Sequence, residues 1–146
     1  MYSVEASAEI NATPERVWQV LSDLKSWREW QEFLDVQEGE PVQGTRLKVR
    51  FTPPGGMKAT LRPVVLRAEP GRELRWLGHV GVKGIFDGEH SFHIEPAGDG
   101  RVRFVQREEF RGALVWLFRA MGELRKAVAG FENFNRGLKE QAEAAP

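Results

Sequence analysis

The chain has 146 residues, no cysteine, and 21 basic side chains against 21 acidic ones. Its length is typical of a single core, so we expect one domain over residues 1–146. The zero formal net charge argues against nucleic-acid binding, the lack of cysteine excludes disulfides, and no apolar run is long enough to span a bilayer. We expect a cytoplasmic protein.

The N-terminal third begins with a strand and a helix. Apolar and polar residues alternate over residues 2–10, which predicts a strand with one solvated face. Thr13-Pro14-Glu15 then supplies an N-cap residue, a proline at the first helical position and an acid in the first turn. The next segment, residues 23–33, is a second short helix or loop rich in aromatic residues. Its aromatic side chains either plug one end of a sheet or cover the mouth of a pocket.

The middle of the chain is a series of strand patterns separated by turns. They lie near residue 36, over residues 45–52, 57–68 and 73–79, and on the two sides of the turn at residues 95–101. In the 57–68 pattern the apolar phase shifts near Pro63, which predicts a bulge. With the first strand, this makes about seven strands connected mainly by hairpins.

After Gly112 the apolar period changes from two residues to 3.6. The pattern over residues 114–138 predicts one long amphipathic helix, in which Gly130 and Gly137 allow a bend or a close approach. The predicted fold class is therefore α+β, with two short helices after strand 1 and a curved seven-stranded antiparallel sheet wrapped around a long C-terminal helix. A straight helix inside a curved sheet leaves room for an internal cavity.

Three hydrogen-bonding residues occur in the apolar phase of the last two strands: His90, Gln106 and Glu108. A hairpin that closes symmetrically about Gly98 would place His90 opposite Gln106 and Glu108 opposite Gly88. Buried polar groups are costly unless they are hydrogen-bonded, so each other, water or a ligand must satisfy them. One interpretation is a mutually satisfied pair of His90 and Glu108 that only sets the strand register.

Several segments, spread over nearly the whole chain in order, also resemble a known family. They are Ala-Thr-Pro-Glu-Arg-Val-Trp at 12–18, Asp23 with Trp-Gln-Glu-Phe at 30–33, and residues 73–76, 86–92, 108–112 and 131–139. Together they resemble the START-like, helix-grip (SRPBCC) superfamily, which includes birch-pollen-allergen relatives and the polyketide cyclase and dehydrase group. Where that family often has Trp-Asn-Pro-Phe, this chain has Trp-Gln-Glu-Phe. The resemblance implies a helix-grip fold around a cavity for a small hydrophobic molecule.

We therefore expect a protein that binds a lipid-, polyketide- or aromatic-like molecule between the sheet and the final helix, rather than an enzyme. It is expected to be a monomer or homodimer without cofactor or metal ion, since the spacing of its histidines fits no metal site. The expected ligand-binding residues are Trp76, Phe86, His90, Phe92, Phe104, Gln106, Glu108, Phe118 and Met121.

Two alternatives to a binding protein stay open. The first is an enzyme resembling polyketide cyclases or dehydratases, in which His90 and Glu108 are the candidate catalytic residues and transfer protons. The second is an interaction module that docks another protein through Trp27, Trp30 and Phe33. Fold alone does not choose between these uses.

Overall fold

A computed structural model describes residues 1–144 and contains eight strands and three α-helices over that range. The strands are β1 (Tyr2–Ile10), β2 (Leu34–Glu38), β3 (Lys48–Phe51), β4 (Ala59–Leu61), β5 (Val64–Glu69), β6 (Glu73–His79), β7 (Asp87–Gly98) and β8 (Arg101–Arg111). The helices are α1 (Pro14–Ser22), α2 (Val115–Ala120) and α3 (Glu123–Glu143), and a short 3-10 helix (Leu24–Glu29) follows α1.

The strands form two antiparallel sheets that continue one another. The five-stranded sheet has the order β1-β8-β7-β6-β5 and the three-stranded sheet the order β2-β3-β4. Backbone hydrogen bonds join them where Leu47 N–H donates to the carbonyl of Pro63 and Val65 N–H donates to that of Thr45, both at 2.8 Å. The result is a curved antiparallel surface that partly encloses α3, as the α+β helix-grip prediction required.

The predicted count of seven strands was one too low because the pattern at residues 57–68 holds two strands. β4 ends at Leu61 and β5 begins at Val64, and the two strands belong to different sheets. Pro63 lies between them and has no N–H to donate to a ladder, so continuous pairing stops there. The phase shift in the sequence therefore marks a corner between sheets.

The β7–β8 hairpin has a different register from the symmetric one expected about Gly98. The turn is Asp99-Gly100, with φ values of 52° and 70°, and Gly98 pairs with Arg101. Positive φ at both central residues is typical of the two-residue hairpin turn whose twist matches the strands. The register then shifts between Pro96 and Gly98.

This shift places His90 opposite Glu108, so the predicted pairing of His90 with Gln106 was wrong. Gly88, predicted opposite Glu108, instead faces Phe110. The change is two residues, an even number, and therefore every side chain keeps its face of the sheet. His90, Gln106 and Glu108 all point inward as predicted and are buried.

The predicted single C-terminal helix is interrupted near its start. α2 ends at Ala120, α3 begins at Glu123, and Gly122 between them has a φ of 79° in the left-handed region. A right-handed helix cannot continue through that conformation, which glycine adopts without steric cost. The long amphipathic helix is therefore α3 alone, and α2 can approach the sheet separately.

Gly130 and Gly137 do not interrupt α3; they allow close contact with the aromatic segment after α1. A Cβ atom at Gly130 would collide with the ring of Phe33, and one at Gly137 would collide with the backbone carbonyl of Trp30. Close packing of this kind requires a residue without a side chain. The two glycines thus bring α3 against the 3-10 helix and its following loop.

Aromatic rings fill the space between α3 and one half of the sheet. The ring centroid of Phe134 lies 4.8 Å from that of Trp27, 5.1 Å from Trp30 and 5.4 Å from Phe92. Trp27, Phe92 and Phe134 are fully buried. This half of the interior is a packed core, and the cavity lies elsewhere.

Candidate functional site

An apolar cavity lies between the sheet and α3, at the end of the molecule where α2 and α3 meet. Its volume is about 260 Å³ and it is partly open to solvent. The lining is mainly aliphatic and aromatic, with three charged exceptions, Lys58, Glu108 and Glu123. The lining residues are Phe33, Phe51, Pro53, Met57, Lys58, Ala59, Leu61, Val80, Phe86, Glu108, Phe110, Phe118, Glu123, Leu124 and Ala127.

Three phenylalanines from three chain segments form one wall of this cavity. Phe86 precedes β7, Phe110 lies on β8 and Phe118 lies on α2. The centroid of Phe86 is 5.4 Å from that of Phe110 and 4.6 Å from that of Phe118. Since the break at Gly122 separates α2 from α3, Phe118 can pack on Phe86 while α3 covers the sheet.

Glu123 connects two elements that border the cavity. Its carboxylate accepts a hydrogen bond from Met57 N–H at 2.9 Å, in the turn before β4, and lies 3.2 Å from Nζ of Lys126. The hydrogen bond from Met57 and the Lys126 ammonium lower the pKa of Glu123 despite some desolvation. This carboxylate is therefore ionised at neutral pH and ties the β3–β4 hairpin to the start of α3.

A narrow notch adjoins the cavity at Glu108. It has a volume of about 20 Å³, close to the space that one water molecule or one ligand oxygen needs. Its lining residues are Phe51, Leu61, Pro63, Trp76, Gly78, Val80, Phe86, Gly88 and Glu108. Several of these, including Phe51, Phe86 and Glu108, also line the larger cavity, so the two spaces are neighbours.

Two glycines form the floor of this notch. Gly78 on β6 pairs directly with Gly88 on β7. A Cβ atom at Gly88 would collide with Oε2 of Glu108. The glycine is therefore what lets this carboxyl group lie flat against β7 with Oε2 at the notch.

Behind Glu108 a chain of polar side chains runs into the interior. Oε1 of Glu108 lies 3.5 Å from Nδ1 of His90, and Nε2 of His90 lies 2.8 Å from Oε1 of Gln106. The Gln106 amide nitrogen donates to Oδ1 of Asn135 on α3 at 2.9 Å. All four side chains are at least nine-tenths buried. This row of polar side chains thus links the cavity to α3 through β7 and β8.

Asn135 was not among the predicted site residues, although the sequence contains a signal for it. It occupies a position in the apolar stripe of α3, where a polar side chain is exceptional. Like His90 and Gln106 on the strands, it is a polar residue in an apolar pattern, which indicates a buried polar side chain. Within residues 1–144, the Nδ2 atom of Asn135 and the Nδ1 atom of His90 are buried without a hydrogen-bond partner.

Burial keeps both ionisable side chains of this polar row, Glu108 and His90, in their neutral forms. It raises the pKa of Glu108 from 4.5 to about 8, because a carboxylate is poorly solvated there. It lowers the pKa of His90 from 6.5 to about 3, although the hydrogen bond that His90 donates to Gln106 opposes part of this shift. At pH 7 we therefore describe the pair as a carboxylic acid facing a neutral imidazole.

These two shifts predict how protein stability depends on pH. His90 contributes stability that is lost as the pH falls below 6.5, and Glu108 contributes stability that is lost as the pH rises from 4.5 to about 8. Their slopes cancel between pH 4.5 and 6.5, where the folded and the unfolded pair bind the same number of protons. Above pH 6.5 the free energy of unfolding should fall by about 1.4 kcal/mol per pH unit until Glu108 ionises.

Urea unfolding between pH 5.5 and 8.5 measures this slope. Glu108→Gln should abolish the decrease in the free energy of unfolding above pH 6.5, since no carboxyl group then has to remain protonated in the folded state. A wild-type curve that is flat above pH 6.5 and falls below it would show that Glu108 is already ionised in the folded protein.

The structure places the predicted ligand-binding residues in three groups. Phe86, Glu108 and Phe118 line the cavity, and Trp76 lines the notch. His90, Phe92, Phe104 and Gln106 are fully buried behind these residues, outside both linings. Met121 does not join the site: it is 51% exposed, because it lies at the break before α3.

Sequence reasoning missed the lining residues of the β3–β4 hairpin and of the first turns of α3. Phe51, Met57 and Leu61 come from the hairpin, and Leu124 and Ala127 from the helix. The hairpin joins two strands of the smaller sheet, whose angle to the larger one depends on the corner at Pro63. No periodicity in the sequence reports that angle.

The aromatic segment after α1 belongs to the core, as the plug interpretation stated. Trp27 is fully buried and Phe33 is 2% exposed, and Phe33 also lines the cavity. Its interpretation as a docking surface for another protein was wrong for these two residues, since α3 and the sheet already cover them. In its Trp-Gln-Glu-Phe motif, Gln31 stands where the family often has asparagine. The Gln31 side-chain amide donates a hydrogen bond to Trp27 O, and Leu34 N–H donates one to the Gln31 side-chain oxygen, each at 2.9 Å.

Each histidine has its own partners. Nδ1 of His79 lies 2.8 Å from Asp87, and Nδ1 of His93 lies 3.1 Å from Glu73. Among residues 1–144 no three side chains of the His, Cys, Asp or Glu type are grouped so that they could hold a metal ion. In the same range no helix has both the length and the apolar character needed to cross a membrane.

The fold and the cavity agree with the family to which the sequence belongs. The chain matches the family described as polyketide cyclase / dehydrase and lipid transport over residues 1–143, and so it is a member of that family. The predicted relation to the START-like, helix-grip superfamily is confirmed. No curated protein matches the sequence.

Solved structures show the same fold at low sequence identity. A protein from Chromobacterium violaceum is 18% identical with a TM-score of 0.74, and the match covers 98% of each chain. The di-domain ARO/CYC protein of the steffimycin biosynthetic pathway is 18% identical with a TM-score of 0.75, over 97% of this chain and 50% of that one. A norcoclaurine synthase from Thalictrum is 15% identical with a TM-score of 0.68, over 95% and 94%. At such identities the likeness establishes the fold alone.

Proposed function

We propose that this protein binds a small hydrophobic molecule in the cavity between the curved sheet and α3. The observation that carries the proposal is the cavity itself, about 260 Å³ in volume and lined mainly by apolar side chains, with Glu108 at its inner end. Ligand sites in proteins are typically apolar concavities with a few placed polar groups. The family description, which includes lipid transport, supports the same proposal.

The volume limits the size of the ligand. An engineered apolar cavity of about 150 Å³ is known to bind benzene, so a cavity of about 260 Å³ corresponds to roughly two fused rings or a short branched chain. A long lipid chain would extend through the open side of the cavity into solvent. We therefore expect compact aromatic or polyketide-like molecules to bind more tightly than long fatty acids.

A screen of small aromatic and lipid molecules by native mass spectrometry tests this proposal. We expect one-to-one complexes at micromolar concentration with compact apolar molecules. If no member of either class binds at that concentration, the proposed function is wrong.

A second candidate function, proton transfer in a cyclase- or dehydratase-like reaction, is favoured by one specific observation. Glu108 is a carboxyl group on the cavity surface whose burial raises its pKa to about 8, within the range useful for a general acid or base at neutral pH. His90 does not line the cavity, so it would act as a positioning residue behind Glu108. In the same screen, dehydration would appear as the loss of the mass of one water molecule from the released compound. Cyclisation without dehydration keeps the mass, so it would appear as a changed chromatographic retention and absorption spectrum.

A further inference from the structure

The feature that the proposed function leaves unexplained is the glycine-floored notch beside Glu108. We propose that the ligand carries a neutral hydroxyl group that enters this notch and donates a hydrogen bond to Oε2 of Glu108. The ligand class is thus a compact apolar alcohol or phenol. This inference rests on the proposed function, since it names the chemistry of the molecule that the cavity binds.

The direction of the polar chain determines which hydrogen-bonding role faces the notch. The Gln106 amide nitrogen donates to Asn135, so the Gln106 carbonyl oxygen is the atom that faces His90. An oxygen there accepts, and His90 must therefore carry its proton on Nε2. Its Nδ1 atom is then an acceptor, and this atom is buried without a hydrogen-bond partner.

The carboxyl proton of Glu108 is placed to satisfy that acceptor. Oε1 lies 3.5 Å from Nδ1, so a proton on Oε1 points at the imidazole and a small movement completes the hydrogen bond. A protonated carboxyl group has one donor, and the proton on Oε1 leaves Oε2 as an acceptor only. Oε2 is the oxygen that lies against Gly88 at the notch. A ligand group in the notch can therefore hydrogen-bond to Oε2 only if it is a hydrogen-bond donor.

The size and charge of the notch restrict that donor to a small neutral group. With about 20 Å³, the notch holds one oxygen-sized group, and its lining contains no lysine or arginine. A ligand carboxylate would meet Oε2 without a neutralising cation. A ligand ammonium would lose its hydration in exchange for one neutral oxygen, which is costly in apolar surroundings.

The charged groups of the larger cavity do not alter this preference. Lys58 and Glu123 line the larger cavity but not the notch. Glu123 is already engaged by Met57 N–H and Lys126. The polar recognition at the inner end is therefore left to Glu108.

Four probes of one shape test the inference by isothermal titration calorimetry at pH 6. They are 2-naphthol, which donates; 2-methoxynaphthalene, which only accepts; 2-methylnaphthalene, which does neither; and 2-naphthylmethylammonium, which is cationic. We expect 2-naphthol to bind about tenfold more tightly than 2-methylnaphthalene, the effect of one buried hydrogen bond. The ether and the cation should bind no more tightly than the hydrocarbon 2-methylnaphthalene.

Variants at Glu108 assign that preference to its carboxyl group. Glu108→Leu should reduce the advantage of 2-naphthol to less than twofold while 2-methylnaphthalene still binds. Glu108→Gln should keep the advantage, since an amide can donate to His90 and present its oxygen to the notch. The wild-type comparison stands on its own if either variant fails to fold.

The possible failures are distinguishable. Equal binding of all four probes would overturn the inference and leave the proposed function standing. A preference for the ether or the cation would overturn it in the same way, by showing that the notch presents a proton or a carboxylate. If none of the four probes binds, the inference fails, and the wider screen of aromatic and lipid molecules decides the proposed function separately.

Discussion

Ala127→Phe should reduce the affinity for a two-ring ligand such as 2-naphthol by at least about tenfold, a loss of 1.4 kcal/mol or more. Ala127 lies on α3, is only 9% exposed and lines the cavity. A phenylalanine side chain there would occupy the space that the ligand needs. Because the new ring fills a void rather than an already packed region, the fold should tolerate it, and the melting temperature should stay the same or rise.

Ala129→Phe is the matched control for this change. Ala129 lies two residues further along α3 but is exposed, so the same added ring points into solvent and does not enter the cavity. Its affinity for 2-naphthol should equal that of the wild type. Unchanged affinity in Ala127→Phe as well would show that the ligand binds at another site, even if the screen finds binders.

Phe134→Ala should destabilise the protein by about 3–5 kcal/mol, the usual cost of removing a buried phenylalanine ring. Phe134 is fully buried, and its ring lies within 5.4 Å, centroid to centroid, of Trp27, Trp30 and Phe92. Its loss would leave a void where α3 meets both the sheet and the aromatic segment after α1. Since domains of this size are stable by about 5–15 kcal/mol, this is a large share of the total.

Urea unfolding followed by circular dichroism measures this loss, with two variants for comparison. Phe134→Leu keeps most of the volume and should cost less than half as much. Trp116→Ala removes an even larger ring from a position on α2 that is 67% exposed, and it should change stability by no more than about 0.5 kcal/mol. A cost below 1 kcal/mol for Phe134→Ala would mean that this half of the interior is loosely packed.

Phe134 and Ala127 lie in opposite halves of one interior. The half around Phe134 contains interlocked aromatic rings and supports the fold, while the half around Ala127 is hollow. A change that removes a ring from the packed half should therefore lower stability, and a change that fills the hollow half should weaken ligand binding. This division explains how a chain of 146 residues can carry an internal cavity and still fold.

The inward orientation of His90, Gln106 and Glu108 could be predicted from the sequence because side chains alternate with a strict period of two. Their pairing could not, since it depends on the turn, and the turn at Asp99-Gly100 with its bulge moves the register by two residues. A register shift by an even number of residues leaves each side chain on the same face of the sheet but changes the residue opposite it on the next strand. For this reason the group of residues was predicted correctly and its geometry was not.

The helices show a similar division. The apolar period of 3.6 over residues 114–138 predicted an amphipathic helix, and most of that range is α3. The break at Gly122 was not evident, because the apolar stripe continues through α2 and so the pattern resembles that of one helix. Glycine permits a left-handed φ but does not demand it, so only the packing of α2 against the sheet reveals which glycine ends a helix.

The sequence by itself determined the α+β class, the family, the strand faces and the presence of polar groups in an apolar interior, because each follows from local periodicity or from motifs contiguous in the chain. The tertiary structure decided where the cavity lies, which residues line it, and that Asn135 completes the chain from Glu108. These features arise where β3, β4, β8, α2 and α3 meet. Such contacts depend on the angles between elements distant in sequence, and no local pattern encodes those angles.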